Sequence, residues 1–90
     1  MRLSYQILLS ETATKQLRRL DEAQREKIVN RLWELSKDPL RPRSGVDIKR
    51  LVGTKPLKHR LRVGAYRVVY LIEETDVKVI EVFRRGRGYR

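Results

Sequence analysis

The sequence predicts a single α+β domain spanning 1–90: a mostly antiparallel sheet of four to five strands with an N-terminal helical hairpin packed on one face. Three observations carry this. Apolar residues recur at helical spacing only between residues 11 and 37, whereas alternation of period two dominates from residue 47 onward. The breaks between the later apolar runs have hairpin length. A chain of 90 residues is one domain, with room for one sheet and one helical layer.

The elements follow in order. "LSYQILL" (3–9) reads as a first strand, with Ile7, Leu8 and Leu9 largely buried. Ser10 is the N-cap of a helix through "ETATKQLRRL", whose stripe is Ala13, Leu17 and Leu20. Asp21 caps a second helix, and Gln24 three residues on suggests a capping box. Ile28, Leu32 and Leu35 form its inner face, with Val29 and Trp33 beside it, and Asp38-Pro39 ends it. The acids and bases that mix on these helices read as a solvated surface. "PLRPRSG" (39–45) is the one real loop. Strands then follow at 47–52, 56–63, 66–74 and 77–85, turning at Gly53, at Gly64-Ala65 and near Thr75-Asp76.

Composition narrows the function. No apolar run approaches the about 20 residues that a membrane span needs. "MRLSYQILLSET" is too interrupted for a signal peptide, so a soluble cytoplasmic protein is expected. Without cysteine, and with one histidine, there is no thiolate chemistry and no zinc ligand set, so no metal or other cofactor is expected. Lys and Arg total 22 against 11 acids, a net charge of +11. The excess is +4 in residues 1–45 (ten bases, six acids) and +7 in residues 46–90 (twelve bases, five acids). The windows 58–67 and 84–90 each hold four Lys or Arg and no acid. Clustered positive charge on a small domain points to a polyanionic partner, nucleic acid foremost. A merely solubilising basic surface is the plain alternative.

Alternation then sorts side chains by face. Leu57, His59, Leu61 and Val63 turn toward the helices, and so do Tyr66, Val68, Tyr70 and Ile72. Lys58, Arg60, Arg62 and Arg67 turn to the open face. In the last strand Ile80 and Val82 alternate with Val79, Glu81, Phe83 and Arg85, and the second set shares the face of Arg67. The expected surface is concave, with Val69, Leu71 and Phe83 as floor and Lys58, Arg60, Arg62, Arg67 and Arg85 as walls. Like charges opposite one another destabilise a sheet. A phosphodiester between these side chains explains the arrangement, because guanidinium forks match phosphate oxygens. An acidic protein segment would satisfy the same field. His59 sits with Leu57 and Leu61, as a core histidine rather than a general base.

"RLRVGAYRVVY", preceded by an "LVG" turn and followed by a strand ending in Arg85 and a terminal tyrosine, is similar to the RelE/ParE toxin superfamily of toxin–antitoxin modules, in its RelE-like branch. The opening strand, the helical hairpin, the Asp-Pro break and the closing "RGRGYR" agree with it. The resemblance implies a microbial-ribonuclease-like fold and ribosome-dependent, metal-independent cleavage of mRNA in the A site. The 2′-hydroxyl attacks the adjacent phosphate and leaves a 2′,3′-cyclic phosphate. The family's functional positions fall on Lys58, Arg60, Arg67, Arg85 and Tyr89, with Arg62, Arg84 and Arg87 as further RNA contacts. Arg67 is expected to stabilise the charge growing on the phosphate, a role worth roughly 10²–10³ in rate. Arg85 would assist the leaving 5′-oxygen, and Tyr89 would stack on a base or orient the 2′-hydroxyl. Lys58 is the amine that neighbouring positive charge would favour as a neutral base. A RelB-like antitoxin, the ribosome and mRNA are the implied partners.

Three departures stand out. Arg60 occupies a position that is lysine in some active relatives, and arginine cannot serve as a base. Ala65 replaces an acid common at that turn. The chain stops one residue after Tyr89, short of the closing helix of longer relatives. Two other functions remain open at this point: a ParE-like toxin that poisons DNA gyrase without cleaving RNA, and a non-enzymatic nucleic-acid-binding module.

Overall fold

Ser10 joins the two halves of the fold. It ends the first strand and caps the first helix, its Oγ accepting the Ala13 N–H at 2.9 Å. The same hydroxyl donates to the Ile80 carbonyl, 70 residues away in sequence, at 2.6 Å. A computed structural model describes residues 4–86. Its elements are β1 (Gln6–Leu9), α1 (Glu11–Arg18), α2 (Glu22–Lys37), β2 (Asp47–Arg50), β3 (His59–Val63), β4 (Tyr66–Glu73) and β5 (Asp76–Arg84). The sheet order is β1-β5-β4-β3-β2. β1 runs parallel to β5, and the other three pairs are antiparallel. The architecture is the predicted α+β one, with both helices on one face of a five-stranded mixed sheet.

The local signals produce the elements they imply. Asp21 Oδ1 accepts the Gln24 N–H at 2.8 Å and starts α2. At the other end, the Arg43 guanidinium donates to the Glu34 and Asp38 carbonyls, at 2.6 and 2.8 Å. That satisfies acceptors which a helix end leaves open. Gly64 carries a φ of 57° and Ala65 a negative one, so the β3–β4 turn has the form that wants glycine at its first central position. Ala13, Leu17, Ile28, Leu32 and Leu35 pack on Ile48, Leu61, Val63, Val68, Tyr70, Val77, Val79 and Val82. Each leucine buried this way contributes about 1.5–3 kcal/mol.

The structure corrects three expectations. First, Val79 lies in the core, 1% exposed, and not on the open face. Tyr70 pairs with Val79 and Val69 with Glu81, so Ile80 is an extra residue on β5. Such a bulge resets the alternation. Before it Val77 and Val79 point inward; after it Val82 does, and Glu81 and Phe83 point outward. Ile80, expected inward, lines a shallow open-face depression with Leu8, Leu71 and Lys78. Second, Leu8 and Leu9 are exposed, because β1 is an edge strand with neighbours on one side only. Third, Leu57 is exposed, and the run 51–58 is a second loop between shortened strands. Pro56 cannot donate to a ladder and Gly53 packs nothing, so pairing lapses there. Trp33 does lie beside the inner face of α2, in a groove with Val29 and Leu32, and is 65% exposed.

His59 is buried, as its place between inward residues implied. Its ring stacks on Tyr70, its cross-strand partner, with centroids 5.3 Å apart. Tyr70 Oη donates to the Pro39 carbonyl at 2.6 Å, so the pair anchors the loop after α2. Burial pushes the Tyr70 phenol well above its ordinary value. Burial, then the charge of Arg50, holds the His59 imidazole below its ordinary value.

Two predictions follow from these contacts. Ser10→Ala removes a cap and leaves the bulge carbonyl without its partner, so urea unfolding should show a loss of about 1–2 kcal/mol. An unchanged midpoint would remove Ser10 from that role. His59 titrates near 6.5 when unfolded and lower when folded, so its neutral form stabilises the fold above about pH 6.5. Stability should fall as pH drops below that value, and His59→Leu should flatten the decline while leaving the stability above about pH 7.5 nearly unchanged. Parallel declines in the two proteins would show that another group is responsible.

Candidate nucleic-acid interface

The register of the sheet builds the open face row by row. One row runs Phe83, Arg67, Arg62, Asp47 across β5, β4, β3 and β2. The next runs Glu81, Val69, Arg60, Lys49. A third runs Leu8, Lys78, Leu71 across β1, β5 and β4. Basic side chains therefore gather at the end of the face built by the β3–β4 turn, and apolar ones at the β1 end.

The predicted residues are not all in one place. Arg60, Arg62 and Arg67 share the basic end. Lys58 precedes β3 by one residue with the parity of Arg60, its N–H held by Thr54 Oγ1 at 3.0 Å. Arg85 follows β5 with the parity of Phe83. Its N–H donates to the Ala65 carbonyl at 2.6 Å, which ties the strand end to the turn beside Arg67. Arg84 pairs with Tyr66 on the helical side and lines a depression with Gln16, Arg19 and Leu20. It is separated from the other arginines by the sheet. Arg87 and Tyr89 lie outside the described residues.

The surface is less free of acid than the segment 58–67 implied. Asp47 faces Arg62 across the strands, and its carboxylate lies 3.8 Å from the Arg60 guanidinium. At that separation, with Asp47 mostly exposed, the pair contributes little. Glu81 stands on the far side of Val69. Lys49, opposite Arg60, adds an amine that sequence reasoning missed. The signal was there: Asp47 and Lys49 flank the inward Ile48 and so must face outward together. Only the pairing of β2 with β3 says what they meet.

The remaining charge is unbalanced. Arg62 and Arg67 are directly opposite, a like-charge pair. Partial burial, then the charges of Arg62, Arg60 and Arg85, pulls the Arg67 guanidinium below the ordinary arginine value. It keeps its charge at any physiological pH. Among the described residues its hydrogen bonds reach the Gly64 and Tyr66 carbonyls, at 3.4 and 3.3 Å, both long. Arg60 Nε is buried without a hydrogen-bond partner. Donors of this kind, held rigidly on strands over a dry valine, can grip a phosphate and stabilise charge that grows on it. Among the described residues, no group of three or more His, Cys, Asp or Glu is gathered to hold a metal ion. No described helix is long and apolar enough to cross a membrane.

Known proteins extend this picture. A family model for the ParE toxin of type II toxin–antitoxin system, parDE, matches residues 7–89. Among solved structures, the archaeal RelE–RelB complex from Pyrococcus horikoshii matches with 27% identity and a TM-score of 0.79, over 96% of this chain and 100% of that one. The toxin–antitoxin complex RelBE2 from Mycobacterium tuberculosis matches with 27% identity and a TM-score of 0.79, over 92% and 100%. A free-state mutant of the E. coli toxin RelE matches with 30% identity and a TM-score of 0.70, over 93% and 86%. No curated protein sequence matches the chain. The chain belongs to the RelE/ParE superfamily of type II toxin–antitoxin toxins, on its RelE-like branch.

Proposed function

We propose that this toxin is an endoribonuclease that cleaves ribosome-bound mRNA on the basic end of its open face. The single observation that carries this reading is the convergence of Arg60, Arg62 and Arg85 on Arg67, on rigid strands and with too little acid to balance them. The substrate 2′-oxygen attacks the adjacent phosphorus, forming a 2′,3′-cyclic phosphate. The P–O5′ bond breaks, and the leaving oxygen takes up a proton. Arg67 and Arg60 hold the phosphate and stabilise the charge on its equatorial oxygens. Arg85 lies beside them, suited to the leaving 5′-oxygen. Lys58 and Lys49 are the amines on the same face, and one of them takes the 2′-proton in this scheme. Tyr89 is retained in the proposal as a base-stacking residue, and Arg62 and Arg87 as phosphate contacts.

The gyrase-poisoning alternative draws on the family model's ParE description. It uses the same domain but has no need for arginines clustered around one point. Arg67→Ala decides between them. Cleavage should fall by roughly 10²–10³ and growth arrest should be relieved, with little change in melting temperature, since Arg67 makes only weak contacts. Full toxicity in the variant would overturn the reading.

A cognate RelB-like antitoxin completes the proposal. Several matched structures are complexes of RelE with RelB. Here an apolar groove runs between the β1 edge and the helices, lined by Ile7, Leu9, Leu17, Val29, Leu32 and Trp33. An amphipathic chain with acidic residues could lay its apolar side there and pass over β1 toward the basic face. Trp33→Ser should weaken antitoxin binding by about 2 kcal/mol in calorimetry and leave cleavage unchanged. Unaltered affinity would place the antitoxin elsewhere.

A further inference from the structure

The helix α2 has two flanks beside its buried stripe. Val29 and Trp33 form one, facing the β1 edge. Lys27 and Arg31 form the other, four residues apart and so on one side of the helix. They look onto a depression of about 270 Å³, several times the roughly 30 Å³ of a water molecule. Its other walls are Gly45, Asp47, Arg62, Val63 and Gly64.

This depression concentrates charge without balancing it. Among the described residues, none of Lys27, Arg31 and Arg62 forms an ion pair. Glu34, one turn beyond Arg31, pairs with Lys37 instead. Asp47, the one acid among the described wall residues, lies 3.8 Å from the Arg60 guanidinium and opposite Arg62, so a single carboxylate is shared among several cations. Like charges four apart on a helix are unfavourable. The two glycines keep side chains out of the floor. At Gly45, whose φ is 81°, an added Cβ would come within 3.9 Å of Arg31 Cζ. Arg62 belongs to both places: it stands opposite Arg67 on the open face and in the wall of the depression.

We infer that Lys27, Arg31 and Arg62 form a second phosphate site, which holds the backbone of the same RNA strand after it leaves the cleavage face. This rests on the proposed endoribonuclease reading. The ligand is a phosphodiester, because the cations ring a shallow depression whose described lining holds no aromatic side chain to stack a base. The strand is the one on the open face, because Arg62 leaves no gap between the two sites. The depression lengthens the footprint; it contributes nothing to the bond that breaks.

The test uses the whole chain with Arg67→Ala to prevent cleavage, and two RNAs: a trinucleotide and a strand of about 12 nucleotides, within the span of one single-strand groove. Adding Lys27→Gln and Arg31→Gln should weaken the longer RNA roughly tenfold. It should lower the magnitude of its log–log salt slope by about 0.7, one phosphate's worth. Trinucleotide binding should not change. Equal weakening of both RNAs would overturn the inference, since the pair would then act on the cleavage face itself. No weakening of the longer RNA, where Arg60→Gln does weaken it, would overturn the second site and leave the proposed function standing. Indifference to both sets of substitutions would overturn the site and the function together. An effect confined to ribosome complexes would assign the depression to ribosomal RNA and overturn the same-strand claim. Should the double variant melt early, Lys27→Gln alone, at an exposed position, carries the same comparison.

Discussion

How the end of β5 meets the arginines of the open face depends on one extra residue in that strand. The bulge at Ile80 lets Val77 and Val79 fill the core at one end of the strand while Val82 fills it at the other. It thereby turns Phe83 and Arg85 to the side that carries Arg67. A regular strand could not do both, because each one-residue shift exchanges the faces. The bulge is held from the helical layer. Ser10 takes the Ile80 carbonyl through its hydroxyl, and the Gln16 side chain accepts the Val82 N–H. Both groups lie on β5 beyond the end of β1, where among the described residues no further strand meets that edge. The cap of α1 therefore also helps aim Arg85.

The face so aimed is costly to the free protein. Arg62 meets Arg67 across the strands, and Arg60 buries an Nε donor with no acceptor. Unpaired buried donors cost about 1–3 kcal/mol each. Asp47 offsets part of this from the edge strand without closing the pair. The core beneath supplies the rigidity: Leu61, Val68 and Tyr70 are fully buried under these positions. Donors fixed in this way need no rearrangement when charge develops on a bound phosphate, which is the condition for electrostatic catalysis. The same imbalance is the surface that the proposed acidic antitoxin would neutralise.

Much of this was legible in the sequence, and the pattern of success is physical. Caps, turns and alternation are local, so Ser10, Asp21, Gly64 and the inward run His59-Leu61-Val63 could be read directly. Lys58, Arg60, Arg62 and Arg67 followed from the same alternation. The bulge could not be read, because "VKVIEVF" keeps an apolar residue in nearly every register. The exposure of Leu8 and Leu9 depends on β1 lying at an edge, which only the assembled sheet decides. Asp47 and Lys49 were likewise visible as outward residues. Their meeting with Arg62 and Arg60 needed the register of β2 on β3, set across the loop at 51–58. Arg84 was read as part of a basic cluster, yet it shares the parity of the inward Val82 and so lies behind the sheet.

The most direct measurement is the chemistry of the RNA ends made when purified toxin is added to a translation extract. The account predicts cuts within ribosome-bound codons, each leaving a 2′,3′-cyclic phosphate upstream and a 5′-hydroxyl downstream. Ends carrying a 3′-hydroxyl and a 5′-phosphate would contradict attack by the 2′-oxygen. Intact mRNA together with trapped gyrase–DNA complexes would contradict the central claim, and the arginines around Arg67 would then serve a protein partner.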